Sequence, residues 1–398
     1  MRLPQTSSRP AICVATIFVL SLFGPLALAN PMLHQQGTTI VDEHGTEVHL
    51  RGVNLGGWLL WEGWIFGKGI LTSETTILTR LEKAVGVQEA EEFRSHVHYN
   101  FITEADIQKI TQAGFNCVRV PLHHCLFDGD SGWKLLDRML VWCEKHKVYV
   151  ILELHAVPGG QSKLGMADPG DARHLVWVSE EDQTKTVAIW KSIAARYHKL
   201  KIIAGYDLIN EPAPPSGKDL VRLYQRIIWE VRAKDPEHLI ILEGDKFASD
   251  FSMFDKPLCE NQAYSLHMYT WFGDDRKKKL AAYQTFAQKQ NTPFWVGEFG
   301  ENSYEMIRST VEMYDRCPEI NGWAFWTWKK APSKSPGLVV IKVPKDWEAV
   351  MASVGSLFGG KMPDPATVRT GIKEFIEAMK FKNTSYDVRM ENALLPKH

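Results

Sequence analysis

The chain is poor in the features that tie a protein to nucleic acid, a membrane or a metal. Across 398 residues the formal net charge is −1, which leaves no electrostatic footprint for nucleic acid or an anionic lipid surface. Its most apolar run, Ala11 to Phe23, is shorter than the roughly 20 residues a membrane-spanning helix needs, so no stable membrane association is expected. There is no CxxC or HExxH spacing to mark a zinc site. The adjacent donors His123, His124 and Cys125 should project to opposite sides of an extended chain. The His-x-His spacing at His96-Val97-His98 falls in an insertion rather than at a strand end. No metal and no cofactor are therefore expected. Cysteine is scarce, and the five beyond Cys13 are an odd number that cannot all pair within the chain. They read as small buried hydrophobes.

The first 29 residues read as a secretory leader rather than part of a fold. Arg2 and Arg9 precede the apolar run, Gly24-Pro25 ends it, and Ala27-Leu28-Ala29 offers a small-x-small cleavage pattern. An uncleaved anchor is the alternative. The expected location is secreted, periplasmic or in the cell envelope, with residues 30–398 forming one catalytic domain. Aromatic residues make up 11% of the chain, 14 of them tryptophan, which suits sugar-stacking platforms as well as ordinary core packing.

What the sequence does contain is an alternation of short β-rich runs with long amphipathic ones, the signature of βα units and a parallel sheet. After an expected hairpin, Thr38 to Asp42 with Thr46 to Leu50 around His44-Gly45, the candidate strands number eight. They are Leu50 to Leu55, Cys117 to Leu122, Tyr149 to His155, Ile203 to Asn210, Leu239 to Gly244, Ala263 to Tyr269, Phe294 to Phe299 and Gly322 to Trp328. Thr103-Glu104-Ala105-Asp106 resembles a capping box whose helix should stop at Gly114. Ser179 should open a helix running to about Leu200. Lys218 to Lys234 places Leu220, Leu223, Tyr224, Ile227, Ile228 and Val231 on one helical face. Eight such units predict a (β/α)8 TIM barrel, α/β in class. An open doubly wound sheet is the alternative, and the absence of GxGxxG after the first strand weighs against it. Long loops, Trp58 to Asn100 and Lys330 to Asp364, should leave the carboxyl ends of strands one and eight, the face on which barrel active sites are built.

Closure of the barrel gives meaning to a pair of glutamates. Glu211 ends the fourth predicted strand and Glu298 the seventh, so both should face the central mouth. Two carboxylates in that position can split a glycosidic bond, one protonating the leaving oxygen while the other attacks or activates water. Other strand ends add Arg119, His155, Asn210, His267, Tyr269 and Trp326. Singly each has an ordinary structural explanation, but their agreement across six strands points to a site.

These stretches resemble the retaining glycoside hydrolases of family 5, in the clan that carries its glutamates on strands four and seven. The resemblance rests on Arg51-Gly52-Val53-Asn54-Leu55-Gly56-Gly57-Trp58, Val118-Arg119-Val120-Pro121, Leu154-His155-Ala156-Val157-Pro158-Gly159-Gly160-Gln161, Asn210-Glu211-Pro212, His267-Met268-Tyr269 and Gly297-Glu298-Phe299. The stretch Leu55 to Trp58 with Glu62 is most similar to the exo-β-1,3-glucanase branch. Two departures stand out: Gly63 where that branch has proline, and Phe299 where it has tryptophan. Leu338 to Pro363 has no counterpart.

The resemblance implies a secreted hydrolase of β-glucan polysaccharide or oligosaccharide, with Glu211 as acid/base and Glu298 as nucleophile. Arg119 and Tyr269 would bond the nucleophile, and Asn210 the sugar 2-hydroxyl. His155 and His267 would bind hydroxyls or orient the carboxylates. Trp326, or Trp328 two residues on, would floor the sugar. Glu62 would accept from a sugar hydroxyl, with Phe272 or Trp271 stacking at the entrance. An endo-β-1,4-glucanase or mannanase, a carbohydrate-binding pseudoenzyme and a metal-dependent barrel hydrolase are the alternatives.

Overall fold

Eight runs of aliphatic and β-branched residues pair in parallel and close on themselves. The computed structural model describes residues 30–69, 71–170, 175–271, 273–356 and 360–396. The expected leader and Phe272 lie outside the described residues. A hairpin of β1 (Leu33–Gln36) and β2 (Thr39–Asp42) precedes the barrel. The barrel itself comprises β3 (Leu50–Asn54), β4 (Cys117–His123), β5 (Tyr149–Ala156), β6 (Ile203–Asp207), β7 (Leu239–Glu243), β8 (Gln262–His267), β9 (Phe294–Gly300) and β10 (Ile320–Trp326). β10 closes the cylinder against β3, in register from Gly322 opposite Leu50 to Phe325 opposite Val53. This is a (β/α)8 TIM barrel.

Along the barrel axis the interior changes from oil to charge. At the amino-terminal end Leu50, Cys117, Tyr149, Leu239, Ala263 and Trp295 pack together, and Leu33 and Ile40 of the hairpin cover them. Two residues or more further along each strand, on the same inward face, stand Asn54, Arg119, Glu153, Asp207, Glu243 and His267, all buried. Burial of so many ionisable groups costs free energy unless they satisfy one another, so their mutual bonding is a condition of the fold.

The hairpin differs from expectation. Its first arm is Leu33–Gln36, turning at Gly37 with φ of 62°, whereas the segment after His44-Gly45 contributes only the bridge from Val41 to Glu47 and a bond from Val48 N–H to Ile40 O. The earlier arm is favoured because the Gln35 backbone N–H reaches Asn261 Oδ1 at 2.7 Å and its side chain reaches Asn291 O at 2.8 Å, which lock it under the barrel.

Helix limits follow the local chemistry. The helix Glu104–Ala113 begins where the Thr103 backbone N–H and hydroxyl both donate to Asp106 at 2.9 Å, and ends on Gly114 with φ of 103°. Gly217–Arg232 buries the six apolar side chains of its expected face. Neither excursion from the barrel is a simple loop. The segment after β3 forms helices Glu74–Val85 and Val87–Asn100, and the segment after β10 supplies Lys345–Val354 and Pro365–Ala378. These pack on each other: Trp347 meets Phe93 at 5.0 Å and Phe375 at 4.6 Å, and its indole N–H bonds Phe66 O at 3.0 Å. Together they form one packed helical layer.

β10 ends at Trp326, two residues earlier than expected, and Trp328 does not share its face. The Trp328 backbone N–H bonds Asn54 O, and its indole N–H bonds Asp106 Oδ1 at 3.0 Å. Beyond it β11 (Lys329–Lys330) joins β12 (Val339–Val340) and β13 (Ser385–Tyr386) in a small separate sheet. Lys329, fully buried, places its ammonium 2.7 Å from Asp106 Oδ1. The segment carrying Trp326 is thus anchored by an ion pair to the cap of a barrel helix. Replacing Asp106 by Asn strands that ammonium and is expected to cost about 3–5 kcal/mol. The double variant Asp106→Asn/Lys329→Met should recover most of this loss; equal melting of the single and double variants in chemical denaturation would show that the pair contributes little.

Candidate active site

Four carboxyl groups and five aromatic or imidazole side chains surround a cavity of about 200 Å³ at the carboxyl ends of the strands. Its lining includes Glu62, Trp64, His155, Glu211, Tyr269, Trp271, Glu298, Glu301 and Trp326. Such a volume lies below the roughly 300–1,000 Å³ of pockets that take drug-sized ligands, and it suits about one sugar ring.

Beneath the cavity lies a single guanidinium. Arg119, on β4, donates Nε–H to Asp207 at 3.0 Å, one terminal nitrogen to Glu298 Oε1 at 2.8 Å and Asn54 Oδ1 at 3.1 Å, and the other to Glu243 at 2.8 Å and Asn210 Oδ1 at 2.9 Å. Neighbours from β3, β6, β7 and β9 and the segment following β6 converge on this one side chain. Asn54 is held in turn, its amide donating to Gly297 O and Ala324 O.

Glu298 is aimed from two sides, since Tyr269 donates its hydroxyl to Oε2 at 2.8 Å while Arg119 holds Oε1. Burial, then the charge of Glu298, pushes the Tyr269 phenol well above its ordinary value, so it remains a donor. His267 lies between acids. Its Nδ1 is 2.8 Å from Glu211 Oε1 and 3.6 Å from Glu298 Oε2, and its Nε2 is 3.3 Å from Glu243 Oε1. Burial opposes charge on the ring, yet Glu243, Glu298 and Glu211 outweigh it and hold the imidazole well above its usual range. An oxygen of Glu211, one of Glu298 and a ring nitrogen of His267 all fall within 4.8 Å of one another. With its ring charged, His267 offers donors to these carboxylates.

Glu211 follows β6 on a backbone with φ of 42°, in the left-handed region that few non-glycine residues adopt. Burial raises its carboxyl above the ordinary carboxylate value; His267 acts against this, and Glu298 and Glu243 reinforce it. Beside it, burial lowers the His155 imidazole to about 4, leaving a neutral ring. Its Nδ1–H donates to Glu153 at 2.9 Å, and Nε2 accepts from the Asn210 amide at 3.3 Å. The same ring stacks on Trp326 at 5.4 Å with an interplanar angle of 11°. Trp326 therefore lies against the cavity while Trp328 packs away from it.

At the rim, Tyr269 and Trp271 stack at 4.3 Å, and the Trp64 indole donates to Glu62 at 2.9 Å. Gly63 has a local reason: a Cβ there would meet Lys68 O and Gly69 O at 2.8 Å, because the loop doubles back on it. Gly297 likewise leaves room for His267, whose Nε2 would lie 3.0 Å from an added Cβ. Phe299 faces the outer core against Tyr314 and Trp323 and takes no part in the cavity.

Of the described side chains assigned to the site from the sequence, Glu62, Arg119, His155, Asn210, Glu211, His267, Tyr269, Trp271, Glu298 and Trp326 lie in or directly beneath this cavity, and Trp328, the alternative floor, does not. One further expectation needs correcting. The donors of His123, His124 and Cys125 come within 4.8 Å of one another, because β4 gives way at His124 to a tight 3-10 turn and the residues no longer alternate. Both His123 nitrogens are already committed, to Asp168 Oδ2 at 3.2 Å and to the Cys125 backbone N–H at 3.1 Å. Sequence reasoning also passed over Asn54, Glu153, Asp207, Glu243 and Glu301. A signal existed for Glu243, which ends the otherwise unbroken apolar run Leu239-Ile240-Ile241-Leu242. Burial pushes both Glu153 and Asp207 well above the carboxylate range despite Arg119, which limits the negative charge that accumulates under the cavity.

Comparison with known proteins gives a consistent relationship. The family model described as Cellulase (glycosyl hydrolase family 5) matches residues 81–332. The chain is 31% identical over 339 residues to a protein named Beta-xylosidase from Phanerodontia chrysosporium, covering 75% of this chain and 70% of that one. It is 28% identical over 387 residues to a Probable glucan 1,3-beta-glucosidase A from Aspergillus niger, covering 79% and 90%. Among solved structures, the rutinosidase from Aspergillus niger shares 17% identity over 73% of this chain and 92% of its own, with a TM-score of 0.57. A beta-glucanase from Saccharophagus degradans shares 16% over 88% and 94%, with a TM-score of 0.54. At such identities the two structures show likeness of fold.

Glu62 supplies a pH signature of the cavity. Burial raises its carboxyl to about 8, against the Trp64 indole and with help from Glu298, Glu301 and Glu211. A carboxyl held above its unfolded value of 4.5 stabilises the fold fully below that value and loses its contribution as pH rises through about 8. The melting temperature of the wild type should therefore fall relative to that of Glu62→Gln between these limits. A difference independent of pH would refute the raised value.

Proposed function

Because the chain belongs to glycosyl hydrolase family 5, we propose that this glycoside hydrolase is an exported, retaining, exo-acting enzyme that removes glucosyl residues from β-glucan, preferably β-1,3-linked. The observation carrying the mechanism is the approach of Glu211 and Glu298 oxygens to within 4.8 Å. Retaining enzymes hold their carboxyls about 5–5.5 Å apart, whereas inverting ones need about 6.5 Å or more to admit water between them.

Glu298 attacks the anomeric carbon as Glu211 gives its proton to the leaving glycosidic oxygen, and a covalent glycosyl ester forms on Glu298. Glu211, now a carboxylate, takes a proton from water, which displaces Glu298 and releases a sugar of the original anomeric configuration. The environments of the two groups suit their tasks. Glu211 keeps its proton through burial, while Glu298 accepts hydrogen bonds from Arg119 and Tyr269 and is thereby aimed. One amide hydrogen of Asn210 remains for the sugar 2-hydroxyl after the other bonds His155, and Trp326 supplies a face for the ring. Intact, mutually close carboxylates would serve no purpose in a protein that only bound carbohydrate.

Exo action is supported by the small size of the cavity that Glu62, Trp64 and Glu301 help to line. The β-1,3 preference is supported by the glucosidase relatives, and the xylosidase relative makes β-xylosides a second substrate to examine.

Proton NMR of products from laminarin, carboxymethylcellulose, mannan and an aryl β-xyloside tests this reading. Initial release of β-glucose from laminarin, abolished in Glu298→Ala, is the expected outcome. Oligosaccharides from cellulose or mannan, or faster xyloside turnover, would move the specificity; activity insensitive to the substitution would sink the assignment of the nucleophile. Export after leader cleavage requires a mature chain starting at Asn30, which amino-terminal sequencing of the secreted protein checks.

A further inference from the structure

Glu243 belongs to β7, the one strand between β4 and β10 for which the reading of the sequence named no site residue. We propose that Glu243 is a positioning residue for proton transfer at Glu211: its carboxylate anchors the Glu211 backbone and steadies the His267 ring that faces the Glu211 side chain. The inference rests on Glu211 being the acid/base.

Three contacts meet on this buried carboxylate. Oε2 accepts the Glu211 backbone N–H at 2.6 Å, while Oε1 accepts from Arg119 at 2.8 Å and stands 3.3 Å from His267 Nε2. The Tyr224 hydroxyl fixes the same residue from behind by donating to its backbone oxygen at 3.0 Å. The need for an anchor is local. Past β6 the chain continues to bond its neighbours through Leu208 N–H to Ile241 O and Asn210 N–H to Leu154 O, but at Glu211 φ becomes 42°. A non-glycine residue in that region is strained and persists only where its surroundings hold it. The acceptor that holds it is a side-chain carboxylate.

Only a carboxylate fits. Glu211 and Arg119 each donate an N–H to it and the His267 ring stands at ion-pair distance, and a carboxylate has an acceptor oxygen and negative charge to meet all three. Glutamine has one acceptor oxygen, and its NH₂ would oppose either the Glu211 N–H or the Arg119 donor, with no negative charge left for His267. The ionisable groups facing Glu243 are Arg119 from β4, Glu153 from β5, Asp207 from β6, His267 from β8 and Glu211 itself. Burial alone would raise Glu243, but His267 and Arg119 hold it below its ordinary value, which keeps it an acceptor.

A residue acting through the acid/base leaves a signature that general damage does not. We would compare wild type, Glu243→Gln, Glu243→Asp and Glu211→Ala on a β-glucan and on an aryl β-glucoside with a strongly acidic phenol, with and without azide. Cleavage of the activated aryl bond needs little proton donation, and azide attacks the glycosyl ester without a base. In Glu243→Gln, kcat on the glucan should fall about 10²-fold, the first-turnover release of phenol should change far less, and azide should accelerate turnover and yield β-glucosyl azide. Glu211→Ala should show the same pattern more strongly. Thermal unfolding monitors integrity, and Glu243→Asp, which retains the charge but shortens its reach, carries the test if the glutamine variant does not fold. Equal losses on both substrates with no azide product, while Glu211→Ala shows both signatures, would overturn the proposal. Their absence in Glu211→Ala would instead overturn the acid/base assignment beneath it.

Discussion

Everything at the mouth of this barrel depends on the burial of one guanidinium. Arg119 is inaccessible to solvent, and an isolated charge in such a place would cost far more than a protein's net stability. It is tolerable because the ends of other strands each turn an oxygen towards it. The planar fork of arginine supplies five N–H donors in fixed directions, and those directions set where Asp207, Glu243, Glu298, Asn54 and Asn210 can stand. Lysine, a point charge with three donors, could not impose that geometry.

The same arrangement creates surplus acid. More carboxyl groups surround Arg119 than it can neutralise, so some keep their protons and a second cation, His267, is drawn in. Placing one charged imidazole between Glu211 and Glu243 separates the acids into unlike environments. The proposed acid retains a proton through burial, while the proposed nucleophile is bonded by donors on both oxygens. Pairs of carboxyls made unequal by their surroundings are how one site carries out acid and nucleophilic chemistry at a single pH. The apolar layer below and the aromatic rim above keep water from screening these interactions.

Rigidity comes from outside the charged layer. The Asp106–Lys329 pair ties the segment beyond Trp326 to a barrel helix, and the packing of Trp347, Phe93 and Phe375 joins the two excursions into one layer. A site needing sub-ångström placement is thereby carried on strands and braced by helices, although Glu211 itself sits on an irregular backbone.

The repeating pattern of apolar runs and amphipathic helices was legible in the sequence because it obeys local periodicities of two and 3.6 residues. From it came eight strands placed within a few residues of their observed limits, the barrel, and the set of polar strand ends that now surround one cavity. Where reading failed, the deciding contact was remote in the chain. The hairpin shifted because Asn261 and Asn291 bind Gln35. Trp328 left the face of Trp326 because Asp106 captures its indole, and the histidine-cysteine triplet converged where a strand became a turn. Glu153 and Asp207 stayed silent, and Glu243 was passed over although it ends an apolar run, because an acid in a strand looks like a surface residue until the barrel closes over it. The sequence by itself determined the periodic elements, and with them the class of fold and the residue types at its mouth. Only the tertiary structure decided which acids keep protons, since that depends on burial and on charges brought together from strands up to 179 residues apart, as Arg119 and Glu298 are.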